Sequence, residues 1–208
     1  MVKVKICGLT TERDIQLVNK YCPDYVGFVF AKSRRQVTPL LVKELTRKLS
    51  PTIYKVGVFV NEKAETVNEI SKMCDLDIVQ LHGDETPYYH KRIHTPAWKA
   101  IRIHNTDSVK TYQDYEVERF VLDTYNKNHY GGTGVAFDWH LAADMQCKGK
   151  IILAGGLNAE NVADAIDIIN PYCVDVSSGV ETNGIKDEDK IKRFIQVVRR
   201  SFESTINS

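Results

Sequence analysis

A thiol stands at the end of the first strand-like run of the chain, directly before a predicted helix. Cys7 follows alternating aliphatic residues, and Gly8 comes immediately after it. In α/β folds, reactive groups lie at this junction, where the carboxyl end of a strand meets the loop into a helix. The position makes Cys7 a candidate reactive group, and the alternative is a buried structural thiol.

Two later strand-like runs end in small residues that suit a phosphate group. Gly155 and Gly156 end one run, and Ser177, Ser178 and Gly179 end the next. Glycine lets the backbone approach an anion closely, and the serines offer amides, hydroxyls and a following short helix start. Either segment alone is best interpreted as a tight turn. The pair predicts a phosphate site, because barrel enzymes commonly hold phosphate at their last two loops.

The elements that carry these residues repeat as a strand followed by a helix. Thr38-Pro39 and Thr86-Pro87 each place a hydroxyl cap before a proline at the first helical position. Asn158 can cap a further helix, and the last helix follows Gly184. The spacing before residue 120 leaves room for only a short fifth helix. The predicted strands cover residues 2–6, 25–30, 54–60, 78–81, 98–103, 120–122, 151–154 and 173–176.

Eight strand and helix units favour a closed parallel (β/α)8 barrel, with an open doubly wound sheet as the alternative. No linker or low-complexity segment divides the chain, so residues 1–208 are expected to form one domain. In strand after strand one alternating set is aliphatic and the other polar. If the aliphatic set faces the helices, the polar set meets at the carboxyl-terminal mouth of the barrel. Its members there are Cys7, His82, Asp123, Asp175 and Ser177.

Composition excludes several classes of function. The chain has 28 basic and 27 acidic residues, and no run of lysine and arginine suggests nucleic-acid binding. It has no secretory leader pattern and no apolar run long enough for a bilayer, which predicts a cytoplasmic protein without membrane contact. The five cysteines form no Cys-x-x-Cys pair, so reduced thiols are expected rather than disulfides or a zinc site. The absence of Gly-x-Gly-x-x-Gly disfavours a dinucleotide site, and no metal site is expected.

Taken together and in order, these motifs resemble the phosphoribosylanthranilate isomerases of tryptophan biosynthesis, over nearly the whole chain. The resemblance implies a phosphate-binding barrel that converts N-(5-phosphoribosyl)anthranilate to an aminodeoxyribulose phosphate by an Amadori rearrangement, with no metal or organic cofactor. The small-molecule substrate is the only partner it implies, and monomer or homodimer stays open. The matching segments are Lys5-Ile6-Cys7-Gly8-Leu9-Thr10, Val56-Gly57-Val58-Phe59-Val60-Asn61, Val79-Gln80-Leu81-His82-Gly83-Asp84-Glu85, Leu122-Asp123-Thr124, Gly131-Gly132-Thr133-Gly134, Leu153-Ala154-Gly155-Gly156-Leu157 and Val174-Asp175-Val176-Ser177-Ser178-Gly179-Val180-Glu181.

By this resemblance Asp123 is the general acid and Cys7 the general base. The acid protonates the ring oxygen of the sugar, and the base then removes the C2 proton. Asp123 needs a raised pKa for this role, and the alternative for it is a helix cap or turn residue. We hypothesise that Lys5, on the same strand face, raises the thiolate fraction of Cys7. The segment 131–134 could close over Asp123 or be an ordinary loop.

The resemblance also supplies substrate-binding candidates. Arg35 matches the family's Ser-x-Arg-x-aliphatic segment and would hold the anthranilate carboxylate, although the loop looks one residue short and Arg34 stands beside it. Asp175 can bond sugar hydroxyls or neighbouring backbone. His82 can line the anthranilate pocket or be a satisfied core histidine, and it is given no catalytic role.

Two other functions compete with this interpretation. One is the related aminoaldose isomerase of histidine biosynthesis, or an enzyme that serves both pathways. That sister family resembles this chain but has aspartate at the position of Cys7 and holds a second phosphate. The other is a barrel that binds a sugar phosphate without turnover.

Overall fold

The computed structural model describes residues 1–103, 108, 111–124, 138–143 and 150–206. Its centre is a closed barrel of eight parallel strands in sequential order, with β8 paired to β1. This confirms the predicted (β/α)8 barrel over the open sheet. The strands are β1 (Lys3–Cys7), β2 (Tyr25–Val29), β3 (Tyr54–Phe59), β4 (Ile78–Leu81), β5 (Ala97–Ile103), β6 (Arg119–Thr124), β7 (Ile151–Leu153) and β8 (Cys173–Val176).

Helices surround the strands, and most begin close to the predicted caps. Thr38 caps its helix by accepting a hydrogen bond from the Leu41 amide at 3.3 Å, with Pro39 in the first turn. The helices are α1 (Glu12–Tyr21), α2 (Pro39–Thr46), α3 (Ala64–Met73), α4 (His140–Ala143), α5 (Val162–Ile169) and α6 (Glu188–Ile206), with 3-10 helices at Tyr89–Arg92, Thr111–Asp114 and Ser178–Val180.

The prediction of a helix that starts at Thr86-Pro87 is wrong. This segment forms only the 3-10 helix Tyr89–Arg92 before β5. Tyrosine and histidine are weak helix formers, and Pro96 directly precedes the strand, so a longer helix has neither the propensity nor the room. The short fifth helix was expected between β5 and β6, where the described residues include the 3-10 helix Thr111–Asp114.

The start of α5 also differs from the prediction. The cap of this helix is Asn161, while the Asn158 side chain accepts hydrogen bonds from the amides of Glu160 and Asn161 at 2.8 and 3.1 Å. Asn158 therefore closes a turn ahead of the helix. The last helix agrees with the prediction, because Ile191, Phe194 and Val198 are all buried along one face.

Apolar side chains fill the lower part of the barrel interior. Tyr25 and Trp98 meet there edge to face, with ring centroids 5.2 Å apart. This packing leaves the polar inward residues of the same strands to the upper layers, at the carboxyl-terminal mouth. The residues of this inner cluster are Tyr25, Val56, Ile78, Trp98, Ala100, Val121, Ile152, Ala154 and Cys173.

A small hairpin follows β8 that the sequence interpretation missed. Strands β9 (Glu181–Thr182) and β10 (Ile185–Lys186) pair antiparallel around Asn183 and Gly184, both with positive φ. An Asn-Gly pair between two short extended runs is a strong hairpin signal, so this element was predictable. The hairpin places Glu181 and Lys186 beside the mouth of the barrel.

Candidate active site

Five inward side chains form a continuous polar chain across the mouth. The Lys5 ammonium donates to Asp175 Oδ2 at 2.6 Å and to Gln80 Oε1 at 3.0 Å. Gln80 Nε2 lies 2.8 Å from His82 Nδ1, and His82 Nε2 lies 3.0 Å from Asp123 Oδ2. Because β1 and β4 are not neighbours in the barrel, Lys5 and Gln80 can meet only through its interior. The structure thus confirms that the polar set of these strands faces inward.

Cys7 ends β1 and is buried at the mouth. Burial raises the pKa of its thiol above the ordinary value; Lys5 and Lys186 oppose this rise and Asp175 adds to it. Lys5 therefore acts on the thiol in the direction that the sequence suggested. It does not outweigh the desolvation, so the pKa of the Cys7 thiol stays above its ordinary value.

Lys5 itself is a permanent cation in this site. Burial alone would lower the pKa of its ammonium, but the charge and hydrogen bond of the Asp175 carboxylate are the main opposing causes, and the pKa lies above its ordinary value. Lys5 has no exposed surface. A buried cation that stays charged is held by its partners, because an unpaired charge in this place would be too costly.

Asp123 lies on β6, buried and held at both carboxylate oxygens. Oδ2 faces His82, and Oδ1 accepts a hydrogen bond from the Thr124 amide at 2.8 Å. Gly155, with φ of 80°, packs so closely that a Cβ atom there would stand 2.9 Å from Asp123 Oδ1 and 2.4 Å from Thr124 Oγ1. The glycine that the sequence assigned to phosphate binding therefore also makes room for the carboxylate.

Asp175 differs from Asp123 in having one unused oxygen. Its Oδ2 is paired with Lys5, whereas the buried Oδ1 has no hydrogen-bond partner among the described residues. Buried carboxylate oxygens are normally satisfied, so an orphaned one at the mouth is free to accept from a ligand hydroxyl.

The two loops predicted to bind phosphate lie against each other. A Cβ on Gly179 would stand 1.9 Å from the carbonyl oxygen of Leu157, one residue beyond Gly156. In the described part of the chain, the amides of Gly156 and Gly179 donate no hydrogen bond to the surrounding loops and strands. Ser178 and Gly179 begin the 3-10 helix Ser178–Val180. The hydroxyl of Ser177 donates to the Cys7 carbonyl at 3.0 Å, so this residue contributes to the loop through its backbone and its contact with β1.

Arg35 lies across the rim beside Cys7. Its Cδ atom is 2.3 Å from where a Cβ on Gly8 would stand, and its Nε and Nη2 donate to Glu181 at 2.7 and 2.8 Å. Arg34 also donates to Glu181, at 2.8 Å. The side chain of Arg35 is only 12% exposed against 58% for Arg34. Arg35 is therefore the more buried of the two arginines, and within the described part of the chain Glu181 engages only its Nε and Nη2, which leaves Nη1 available.

Glu181 forms ion pairs with Arg34, Arg35 and Lys186, and the sequence did not identify it as a site residue. Lys186 donates to Glu181 Oε1 at 2.8 Å and to the Ser177 carbonyl at 3.0 Å. Burial acts to raise the pKa of Glu181, but Arg35 and Lys186 hold it below its ordinary value. Glu181 ends one of the segments that resemble the family, yet its role depends on a hairpin that brings Lys186 back to it.

The described residues also bear on metal binding, membrane spans and the state of the cysteines. Among the described residues no cluster of three or more histidine, cysteine or acidic side chains could hold a metal. No helix in the described part of the chain combines the length and apolar character needed to cross a bilayer. Cys7, Cys22, Cys74 and Cys173 are free thiols. The glycine-rich segment 131–134 and Cys147 lie outside the described residues.

Comparisons with known proteins agree with this geometry. The family model for N-(5'phosphoribosyl)anthranilate (PRA) isomerase matches residues 4–197. The N-(5'-phosphoribosyl)anthranilate isomerase of Clostridium acetobutylicum is 50% identical over 203 residues, which cover 96% of this chain and 99% of the relative.

Two solved structures match with the same coverage, 96% of this chain and 100% of the other. One is phosphoribosyl anthranilate isomerase from Thermotoga maritima, with a TM-score of 0.87 and 37% identity. The other is a phosphoribosyl anthranilate isomerase in complex with reduced 1-(o-carboxyphenylamino)-1-deoxyribulose 5-phosphate, with a TM-score of 0.83 and 36% identity. The barrel, its polar mouth and these relatives lead to one conclusion: the chain belongs to the N-(5'-phosphoribosyl)anthranilate isomerase family.

Proposed function

We propose that this chain, as one barrel domain of residues 1–208, isomerises N-(5'-phosphoribosyl)anthranilate to 1-(2-carboxyphenylamino)-1-deoxyribulose 5-phosphate. Asp123 is the general acid and Cys7 the general base. The enzyme works in the cytoplasm, where a phosphorylated sugar is retained, because a charged phosphate does not cross a lipid bilayer. The reaction requires no metal or organic cofactor.

The observation that carries this proposal is the placement of a thiol and a carboxylate around one mouth. Cys7 ends β1, and Asp123 lies on β6, with two strands between them on one side and four on the other. A sugar bound over the mouth would therefore have its ring oxygen near Asp123 on one side and its C2 hydrogen near Cys7 on the other. Both groups are buried, which excludes water from the proton transfers.

The proton steps balance without any other reactant. Asp123 gives its proton to the ring oxygen as the bond from that oxygen to C1 breaks, which leaves an iminium between C1 and the anthranilate nitrogen. The iminium makes the C2 proton acidic, and the thiolate of Cys7 removes it. The resulting enolamine gains a proton at C1 and loses one from the C2 hydroxyl to become the ketone. Lys5 favours the thiolate that this step needs.

The substrate's two anionic ends and its hydroxyls match separate parts of the rim. Arg35 would receive the anthranilate carboxylate through the terminal nitrogen that Glu181 leaves available. The unpartnered Oδ1 of Asp175 would accept from a sugar hydroxyl. Both ring nitrogens of His82 have protein partners, so this residue would line the anthranilate pocket with its ring.

The phosphate would bind where the last two loops meet. The backbone amides of Gly156 and Gly179 are the donors, and the left-handed turn at Gly155 brings the first of them into place. Ser177 and Ser178 frame the second loop, one through its bond to the Cys7 carbonyl and one at the start of the short helix. The unused amides and the close packing of the two loops support this site.

The test is steady-state turnover with freshly prepared phosphoribosylanthranilate, followed as loss of anthranilate fluorescence in the presence of a chelator. We expect turnover by the wild-type chain and at least a 100-fold lower kcat for Asp123→Asn, which keeps the shape of the acid without its proton.

A parallel assay uses the aminoaldose substrate of the histidine pathway. Turnover of that substrate alone would replace the proposal with the sister activity. Binding of phosphoribosylanthranilate by folded protein without turnover would identify a non-catalytic barrel.

A further inference from the structure

We propose that Gln80 is a positioning residue that fixes His82 as the neutral ring with its hydrogen on Nε2, held against Asp123. This inference rests on the proposed role of Asp123 as the acid. It assigns a function to two residues of the polar chain that do not need to touch the reacting atoms.

The first step is the orientation of the Gln80 side-chain amide. The Lys5 ammonium has three donors and no acceptor, so the atom of Gln80 that faces it at 3.0 Å must be the carbonyl oxygen. Lys5 is itself held by Asp175 at 2.6 Å and cannot turn away. The amide therefore has only one orientation, and its NH2 group points to His82.

The second step is the hydrogen on His82. Gln80 Nε2 can only donate, so His82 Nδ1, 2.8 Å away, must be a bare acceptor. A histidine with a bare Nδ1 is neutral and carries its hydrogen on Nε2. That hydrogen points at Asp123 Oδ2, 3.0 Å away. The direction of every hydrogen bond in the chain thus follows from the fixed charge of Lys5.

The third step concerns the proton of the acid. A ring with its hydrogen on Nδ1 would present a bare Nε2 to Asp123 and compete with the substrate for the carboxyl proton. The tautomer set by Gln80 closes this route, since Nε2 already carries a hydrogen. By donating that hydrogen to Oδ2, His82 orients the carboxyl group and leaves the acid's proton to a lone pair that the ring does not use. Water has little access to replace a lost partner, because the exposed fractions of Lys5, Gln80, His82 and Asp123 are 0, 1, 7 and 4%.

The test is 15N NMR of the protein labelled at histidine, in which the two ring nitrogens report which of them carries hydrogen. His82 is assigned by loss of its signals in His82→Gln. We expect the wild-type ring to be neutral with hydrogen on Nε2. A ring with hydrogen on Nδ1, or on both nitrogens, at neutral pH would overturn the inference, whether or not the protein turns over substrate.

Gln80→Glu gives the matched variant, because glutamate keeps the shape and still accepts from Lys5 but cannot donate to Nδ1. We expect hydrogen to appear on Nδ1, kcat to fall about 10- to 100-fold, as for other groups that orient a functional histidine, and KM to change little. Gln80→Met removes the donor without adding charge and should leave both neutral tautomers populated.

Gln196→Glu makes the same change on the exposed face of α6 and is the control. Unchanged His82 signals in both Gln80 variants would contradict the inference. Absence of turnover in the wild-type chain, with the expected wild-type spectrum, would contradict only the acid role of Asp123.

Discussion

Replacing Gly155 with alanine tests how tightly the barrel holds its acid. The residue has φ of 80°, which costs a side chain about 1–2 kcal/mol. The new Cβ would also stand 2.7 Å from the Thr124 amide nitrogen and 2.9 Å from Asp123 Oδ1, and overpacking of this kind costs about 1–3 kcal/mol. We expect Gly155→Ala to lower the free energy of unfolding by about 2–5 kcal/mol, or Tm by about 4–20 °C.

Gly184→Ala is the matched control for this prediction. Gly184 has the same φ of 80°, but the nearest atom to its Cβ would be Arg34 Nη1 at 3.5 Å, which is ordinary contact. The control therefore bears only the backbone cost of about 1–2 kcal/mol. The gain that alanine gives by restricting the unfolded chain is common to both variants and cancels in the comparison.

Urea unfolding and steady-state kinetics measure the two consequences. Because Asp123 must move to admit the methyl group, kcat of Gly155→Ala should fall about 100-fold, the effect of a displacement of about 1 Å at a reacting group. Gly184→Ala should keep kcat close to the wild-type value. Equal destabilisation by the two substitutions, or an unchanged kcat in Gly155→Ala, would refute the argument that Gly155 makes room for the acid.

Cys7, Glu181 and the buried pair of Glu85 and Lys99 can each be tested by chemical modification or substitution. Alkylation of Cys7 by iodoacetamide, followed by mass spectrometry, should be slow at neutral pH and accelerate only above about pH 9, because burial raises the thiol pKa above its ordinary 9.0. An alkylation rate whose pH dependence has its midpoint near 7 would contradict this. Glu181→Gln should raise KM about tenfold by releasing Arg35, with a smaller effect on kcat. The folded-state pKa of Glu181 is depressed, so its ionised form stabilises the protein above the ordinary pKa of 4.5. This contribution is lost as the pH falls. The free energy of unfolding of Glu181→Gln should therefore decrease less steeply with falling pH than that of the wild-type chain. Glu85→Gln removes the carboxylate that lies 2.9 Å from the buried ammonium of Lys99, and it should lower the free energy of unfolding in urea by about 3–5 kcal/mol. Adding Lys99→Met should restore most of this loss. Additive effects of the two substitutions would contradict a paired role.

The barrel could be predicted from the sequence because its signals are local and repeated. Aliphatic runs of three to seven residues recur between capped helices, and the alternation within each run separates the faces of the strands. Thus residues 78–81 and 173–176 were placed correctly to the residue. The prediction of a helix at Thr86-Pro87 was wrong because the cap signal is local. A cap signal cannot show that only one turn fits before β5.

The partners within the site could not be predicted in the same way. Lys5 and Asp175 are 170 residues apart, and Lys5 and Gln80 are 75 apart, so their contacts depend on closure of the barrel. Alternation showed that these residues face inward, but not that they form one chain to Asp123. The involvement of Arg35 with Glu181 likewise depends on the Asn183-Gly184 hairpin, whose turn signal was present but not used.

Kinetics of Cys7→Ala test the central claim most directly. The variant removes only the thiol, which is the group proposed to take the C2 proton, and leaves Asp123, Arg35 and the phosphate loops in place. With phosphoribosylanthranilate as substrate, we predict ready turnover by the wild-type chain and a kcat at least 100-fold lower for the variant, with KM little changed. A Cys7→Ala protein that turns over phosphoribosylanthranilate at the wild-type rate would contradict the assignment of the base and the mechanism built on it.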